Sequence, residues 1–142
     1  MNKENNFKLS KRELGIMHIY WSAENPLKAT EVWEIVKEDD PRSRKITIFA
    51  IQKAIKALLE YGALKVSDYV RVGKTAARAY VADITQEEYA VMQYEIYFPE
   101  DKETSVLNMV EALLDANDCT KDDIEKLVEL LEKRRSEPDT NE

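Results

Sequence analysis

The run from Ile46 to Leu64 constrains this chain most. Ile48, Ile51, Ile55 and Leu58 recur at helical spacing, which predicts an amphipathic helix ending near Tyr61-Gly62. Thr47 is placed to cap it, since its hydroxyl can accept from an unpaired N–H of the first turn. The face opposite the apolar stripe carries Phe49, Gln52, Lys53 and Lys56, with the small Ala50 among them. In a major groove Lys reaches guanine acceptors or phosphate, Gln pairs with adenine, and apolar groups meet the thymine methyl. The same face also suits ordinary solvation, so this segment alone leaves both readings open.

Charge distribution bears on that choice. The 142 residues carry a net charge of -7, which at first sight disfavours a nucleic-acid partner. Yet residues 41–82 hold 9 basic and 2 acidic side chains, whereas residues 83–142 hold 6 and 18. A duplex responds to the nearby potential, because salt screens charge beyond about 8–10 Å. The acidic half then faces away from the duplex, or steers association with a basic protein.

On either side of the central helix the pattern is regular. Ser10 and Glu13 form a capping box, opening a helix with Leu14, Met17 and Trp21 on one side and Ile16 and Ile19 widening the arc. Residues 1–9 are expected to fray. Gly15 weakens that helix by up to about 1 kcal/mol relative to alanine, implying tolerance or close packing at that point. After Asn25-Pro26, Thr30 is expected to cap a second helix bearing Val32, Trp33 and Val36, which Asp39-Asp40-Pro41 stops. Arg42, Arg44 and Lys45 follow as a cationic connector suited to phosphates. Beyond Gly62 the pattern becomes β-rich, predicting a hairpin from Leu64, Val66, Tyr69 and Val70 to Ala79, Tyr80 and Val81, with Arg71, Gly73, Lys74 and Thr75 at its tip. The tip is not a phosphate-binding loop: Asp68 stands where that motif needs its first glycine.

Three helices followed by a hairpin is the winged form of the helix-turn-helix. The fold expected is mainly α: a winged helix-turn-helix over residues 1–83, a helical dimerisation region over 84–135 and a disordered tail over 136–142. Thr85 and Glu88 form a second capping box, before Tyr89, Met92 and Ile96, and Phe98-Pro99 ends that helix. Val106, Val110, Leu113 and Leu114 then make one apolar stripe, and Ile124, Leu127, Leu130 and Leu131, after a Thr120 cap, another. Stripes of this length with few residues to cover them point to packing against a second copy.

Several function classes fall away. The lone histidine, His18, has no acidic or cysteine partner at helical spacing, and no nucleophile–base or paired-carboxylate arrangement stands out, so no enzyme, cofactor or metal is expected. Cys119, the single cysteine, reads as a buried or incidental thiol. No apolar run reaches the about 20 residues of a membrane span, and the Met1-Asn2-Lys3-Glu4 start is unlike a signal peptide, so a cytoplasmic protein without membrane insertion is expected.

The order of these residues resembles the bacterial penicillinase and methicillin-resistance repressors, the BlaI/MecI-like winged-helix proteins. Ser10, Glu13, Ile16, Met17, Ile19 and Trp21 resemble the family's opening, and Ala29, Thr30, Glu31 and Ile35 its second helix. Ile51, Ile55, Leu58 and Gly62-Ala63-Leu64 resemble the end of the third. Gly73, Arg78, Tyr80, Thr85 and Glu87-Glu88-Tyr89 match the wing and the entry to the dimerisation region. Ser105-Val106-Leu107 and Asp123-Ile124-Glu125 carry the likeness onward, so that it covers about residues 9 to 134. The resemblance implies a homodimer that binds an inverted-repeat operator in double-stranded DNA and blocks transcription, with the third helix in the major groove and the wing beside phosphates. On this reading Phe49, Ala50, Gln52, Lys53 and Lys56 read bases, and Arg42, Arg44, Lys45, Thr47, Arg71, Lys74 and Arg78 meet phosphates. In the resistance branch a membrane sensor leads to cleavage near the start of the dimerisation domain. Ile96-Tyr97-Phe98-Pro99 lacks the usual Asn-Phe cleavage pair, and one cysteine cannot supply the C-terminal motif of the copper-responsive branch, so a sensor or protease partner stays undefined. Ala50, Ala57 and Phe49 also depart from the Thr, Arg and basic residues common in relatives, implying a different operator or weakened DNA binding. The alternative is a winged-helix protein-interaction module that has lost its operator.

Overall fold

The computed structural model describes residues 6–39, 45–72, 75–98 and 106–138. The chain separates into two compact units, residues 1–99 and 100–142.

The first unit is a winged helix. Helix α1 (Lys11–Ser22) begins at Ser10, whose side chain accepts from the Glu13 N–H while the Glu13 carboxylate accepts from the Ser10 N–H. A short strand β1 (Leu27–Lys28) leads into α2 (Ala29–Asp39). Thr30 is not the cap of α2: the helix starts one residue earlier, and the Glu31 carboxylate accepts from the Lys28 N–H at 2.9 Å instead. Helix α3 (Ile48–Tyr61) is capped by Thr47 and ends at Gly62, whose φ of 85° places it in the left-handed region that glycine adopts without steric cost. Strands β2 (Leu64–Val72) and β3 (Thr75–Ala82) form the expected hairpin, with a register irregularity between Val66 and Tyr69. The tip residues Gly73 and Lys74 lie outside the described residues. β1, absent from the sequence reading because two residues carry no periodicity, pairs Leu27 with Tyr80 and completes a β1-β3-β2 antiparallel sheet.

Ile16, Met17, Val32, Ile51, Leu58 and Leu64 are fully buried, so each helix and the hairpin give side chains to one core. Burying an aliphatic side chain of this size contributes about 1.5–3 kcal/mol, which is what holds a three-stranded sheet this small in place. Tyr20, not Trp21, is the third buried residue of α1. Trp21 is half-buried, with its indole N–H donating to the Ile84 carbonyl at 2.9 Å. Gly15 is not a close-packing site: nothing lies within 4 Å of where its Cβ would stand, and it borders an open cavity of about 810 Å³ between α1 and α2.

Helix α4 (Gln86–Tyr97), capped by Thr85 and Glu88, belongs to this unit. The sequence pattern places it in the dimerisation region, but its Tyr89 and Met92 are buried in the winged-helix core. Residues 6–9 are not frayed either. Leu9 is buried, and its N–H donates to the Tyr89 hydroxyl at 2.9 Å.

The second unit contains α5 (Val106–Ala116) and α6 (Lys121–Ser136). Thr120 and Asp123 form a third capping box, and Lys133, Arg134 and Arg135 complement the negative end of the α6 dipole. Ser136 closes this helix rather than opening a disordered tail, and residues 139–142 lie outside the described residues. Cys119 is exposed, not buried. Neither helix contains a buried residue.

Candidate nucleic-acid interface

The two faces of α3 are chemically opposite. Its inner face buries Ile51, Ala54, Ile55 and Leu58, which locks the rotation of the helix about its axis. That rotation turns Gln52, Lys53 and Lys56 outward, all exposed, and leaves Phe49 75% exposed, an unusual position for a phenyl ring on a soluble helix. Ala50 is half-buried beside them. The N-terminus of α3 has no acidic side chain in its first turn, so the helix itself supplies no carboxylate to the partial positive charge at that end. Thr47 caps it through the Ala50 N–H at 3.2 Å and is itself exposed, as is Lys45.

Among the described residues the ion pairs are Lys37 with Glu34, Lys65 with Asp83 and Lys126 with Asp122. None engages Lys45, Lys53 or Lys56. These three cations are exposed, on and just before one helix. Arg78 is also exposed, in β3 opposite Tyr69, and has interactions of its own. Arg42, Arg44 and Lys74 lie outside the described residues, as does the side chain of Arg71, whose backbone is in β2. The structure thus groups the candidate base-reading residues on one exposed helical surface, with Lys45 and Thr47 at its start.

Two residues hold this surface: Trp33, expected only as an apolar position of the second helix, and Lys37, which the sequence reading did not single out. The Trp33 indole N–H donates to the Ile46 carbonyl at 2.9 Å, fixing the chain two residues before α3. The Lys37 ammonium lies 3.7 Å from the centroid of the Trp33 ring, a cation–π contact that orients the indole. The signal for the second was present in the four-residue spacing of Trp33 and Lys37 on a helix.

The eight stripe residues of the second unit divide by exposure. Val106, Leu113, Ile124, Leu130 and Leu131 are exposed, and Val110, Leu114 and Leu127 half-buried. This is much apolar surface for two helices to leave to water. Among the described residues no group of three or more His, Cys, Asp and Glu side chains is placed to hold a metal ion. No helix among them is long and apolar enough to cross a membrane.

A family model described as penicillinase repressor matches residues 9–133. No curated protein matches the chain. Among solved structures, PerR from Streptococcus pyogenes, a peroxide-sensing gene regulator, aligns at 10% identity and a TM-score of 0.42, covering 56% of this chain and 50% of its own. The chain thus spans half the length of that PerR structure. Staphylococcus aureus MarR, solved with salicylate and kanamycin, aligns at 12% identity and a TM-score of 0.39, covering 89% of this chain and 71% of that one. A double mutant of Lactococcus lactis ZitR aligns at 18% identity and a TM-score of 0.41, covering 95% and 79%.

Proposed function

From the premise that this chain belongs to the penicillinase repressor family, we propose that it is a dimeric transcriptional repressor that binds an inverted-repeat operator. The observation that carries this reading is the outward face of α3, where Phe49, Gln52, Lys53 and Lys56 stand exposed while the opposite face is locked in the core.

Such a helix fits the major groove, where the four base pairs present distinguishable patterns. Lys53 and Lys56 take guanine acceptors, Gln52 adenine, and Phe49 with Ala50 the thymine methyl. Lys45, Thr47 and the α3 N-terminus meet one strand's phosphates. Arg78, with Arg71 and Lys74, meets phosphates from the wing. The apolar stripes of α5 and α6 pair with those of a second copy, giving two reading helices for two half-sites. A dimer so seated blocks transcription by occupying promoter DNA.

The test is binding of the purified protein to duplexes selected from genomic DNA and to scrambled controls across a salt series. A preference for a two-fold symmetric site, with affinity falling steeply as salt rises, is expected. A dimer with no sequence preference at any salt overturns the reading and leaves the protein-interaction module in its place.

A further inference from the structure

Phe49 stands apart from every other ring in its unit. It is 75% exposed, more than any other large apolar side chain described among residues 1–99. Among the described residues no aromatic ring packs on it. Folding alone does not call for a phenyl there, because Ile51, Ala54, Ile55 and Leu58 already fill the inner face of α3. Phe49 is the second residue of that helix and shares the outward face with Gln52 and Lys53, three and four positions on. A helix seated in a major groove sets the residues of its N-terminal turn against base edges.

Its chemistry there differs from that of its neighbours. Gln52 and Lys53 tell bases apart by hydrogen bonds, whereas a phenyl ring has no N–H or O–H to donate and no oxygen to accept. The apolar group that a base pair shows in the major groove is the C5 methyl of thymine. 5-Methylcytosine carries the same methyl at the same ring position and differs from thymine at C4, where an amino donor replaces the O4 acceptor. A side chain that makes no hydrogen bond does not sense that difference.

We propose that Phe49 reads the C5 methyl itself, on thymine or on 5-methylcytosine, so that methylation of a cytosine at its operator position tightens binding. This rests on the repressor reading and adds to it a response to the modification state of the DNA. Lys53, one turn further along the same face, takes guanine acceptors on a neighbouring pair, so the methyl makes a contribution separate from the hydrogen bonds. Burying one methyl group corresponds to about a fourfold change in affinity.

The experiment selects an operator from unmodified duplexes with the full chain and then varies one half-site. At each thymine position, thymine is compared with deoxyuridine opposite adenine, and 5-methylcytosine with cytosine opposite guanine; within each comparison only the methyl changes. At one position the native chain is expected to favour the methylated member of both comparisons about fourfold, and Phe49→Ala to reduce both ratios there to within about twofold. Phe49→Leu, which keeps an apolar group, is expected to retain them. With the ring mostly in solvent, both variants are expected to fold as the native chain does. A preference for thymine over deoxyuridine without one for 5-methylcytosine over cytosine overturns the inference, because the contact then depends on the rest of the base. Ratios unchanged in Phe49→Ala, or a native chain indifferent to the methyl at every position, overturn it too, and in each of these cases the half-site preference and the repressor reading stand. A native chain with no half-site preference sinks the repressor reading and this inference with it.

Discussion

The indole of Trp33 holds the carbonyl of Ile46 at 2.9 Å, so a side chain of α2 fixes the backbone from which α3 starts. Removing the donor while keeping an aromatic ring, as in Trp33→Phe, leaves a half-buried carbonyl without its partner and is expected to cost about 1 kcal/mol of stability. Because the whole of α3 is displaced and no base contact is removed, affinity is expected to fall on all duplexes alike. Thermal unfolding and competition between matched and scrambled duplexes check this. A variant as stable as the native chain, or one with altered base preference, contradicts it.

Lys53 and Lys74 are expected to play different roles on the proposed DNA-binding reading. Lys53 lies on the outward face of α3 and is expected to read a base, so Lys53→Ala relaxes preference at one operator position by about 1–3 kcal/mol. Lys74, at the hairpin tip in the sequence, is expected to meet phosphate, so Lys74→Ala weakens every duplex and reduces the salt slope by about 1. Binding measured on an operator, its single-base variants and a random duplex at several salt concentrations separates the two. Equal losses on every duplex for both substitutions refute the division.

Leu113 is 56% exposed on α5 and Leu131 57% exposed on α6. If these stripes join two copies, Leu113→Asp places a charge in the joint and is expected to yield a folded monomer, since the core of the first unit is untouched. Loss of the second reading helix forfeits an avidity of about 100- to 10,000-fold in operator affinity. Mass in solution and operator binding are the measurements, and a chain cut after Pro99 is expected to match the variant. A dimer that persists after the cut moves the interface elsewhere.

The three helices, the hairpin and two of the three capping boxes were legible because each rests on local spacing, Ser10 with Glu13 and Thr85 with Glu88, while at Thr120 only the cap was read and not its partner Asp123. The outward face of α3 was legible for the same reason, since the period of Ile51, Ile55 and Leu58 dictates what faces away. What escaped depends on pairing across long sequence separations. β1 is defined by the partnership of Leu27 with Tyr80 and of Lys28 with Ala79, and the anchoring of residues 6–9 by side chains 80 or more positions later. The same separation explains why the packing of α4 was not legible: Tyr89 and Met92 join the core of residues 1–99 through partners distant in sequence. Its own pattern shows an amphipathic helix but not which surface it covers.

Tyr20 provides a pH-dependent signature of the core. It is 5% exposed, its hydroxyl donates to the Leu27 carbonyl at 3.1 Å, and burial, with smaller contributions from Tyr80 and Glu31, raises its pKa well above the ordinary value of 10.0. A phenol whose folded pKa is raised stabilises fully below its unfolded pKa, and that contribution declines as pH rises above it. Between the two values the unfolded chain has lost the proton and the folded one has kept it, so stability falls by about 1.4 kcal/mol per pH unit from this group. Tyr20→Phe removes the titration together with the hydrogen bond and is expected to lower stability by about 1 kcal/mol near neutrality. The difference between native chain and variant should then shrink and reverse as pH climbs past about 10. Denaturant unfolding of both chains from neutral to alkaline pH measures that difference directly. A gap that stays constant throughout shows that the Tyr20 hydroxyl ionises as readily in the folded chain as in the unfolded one, contradicting its burial against β1.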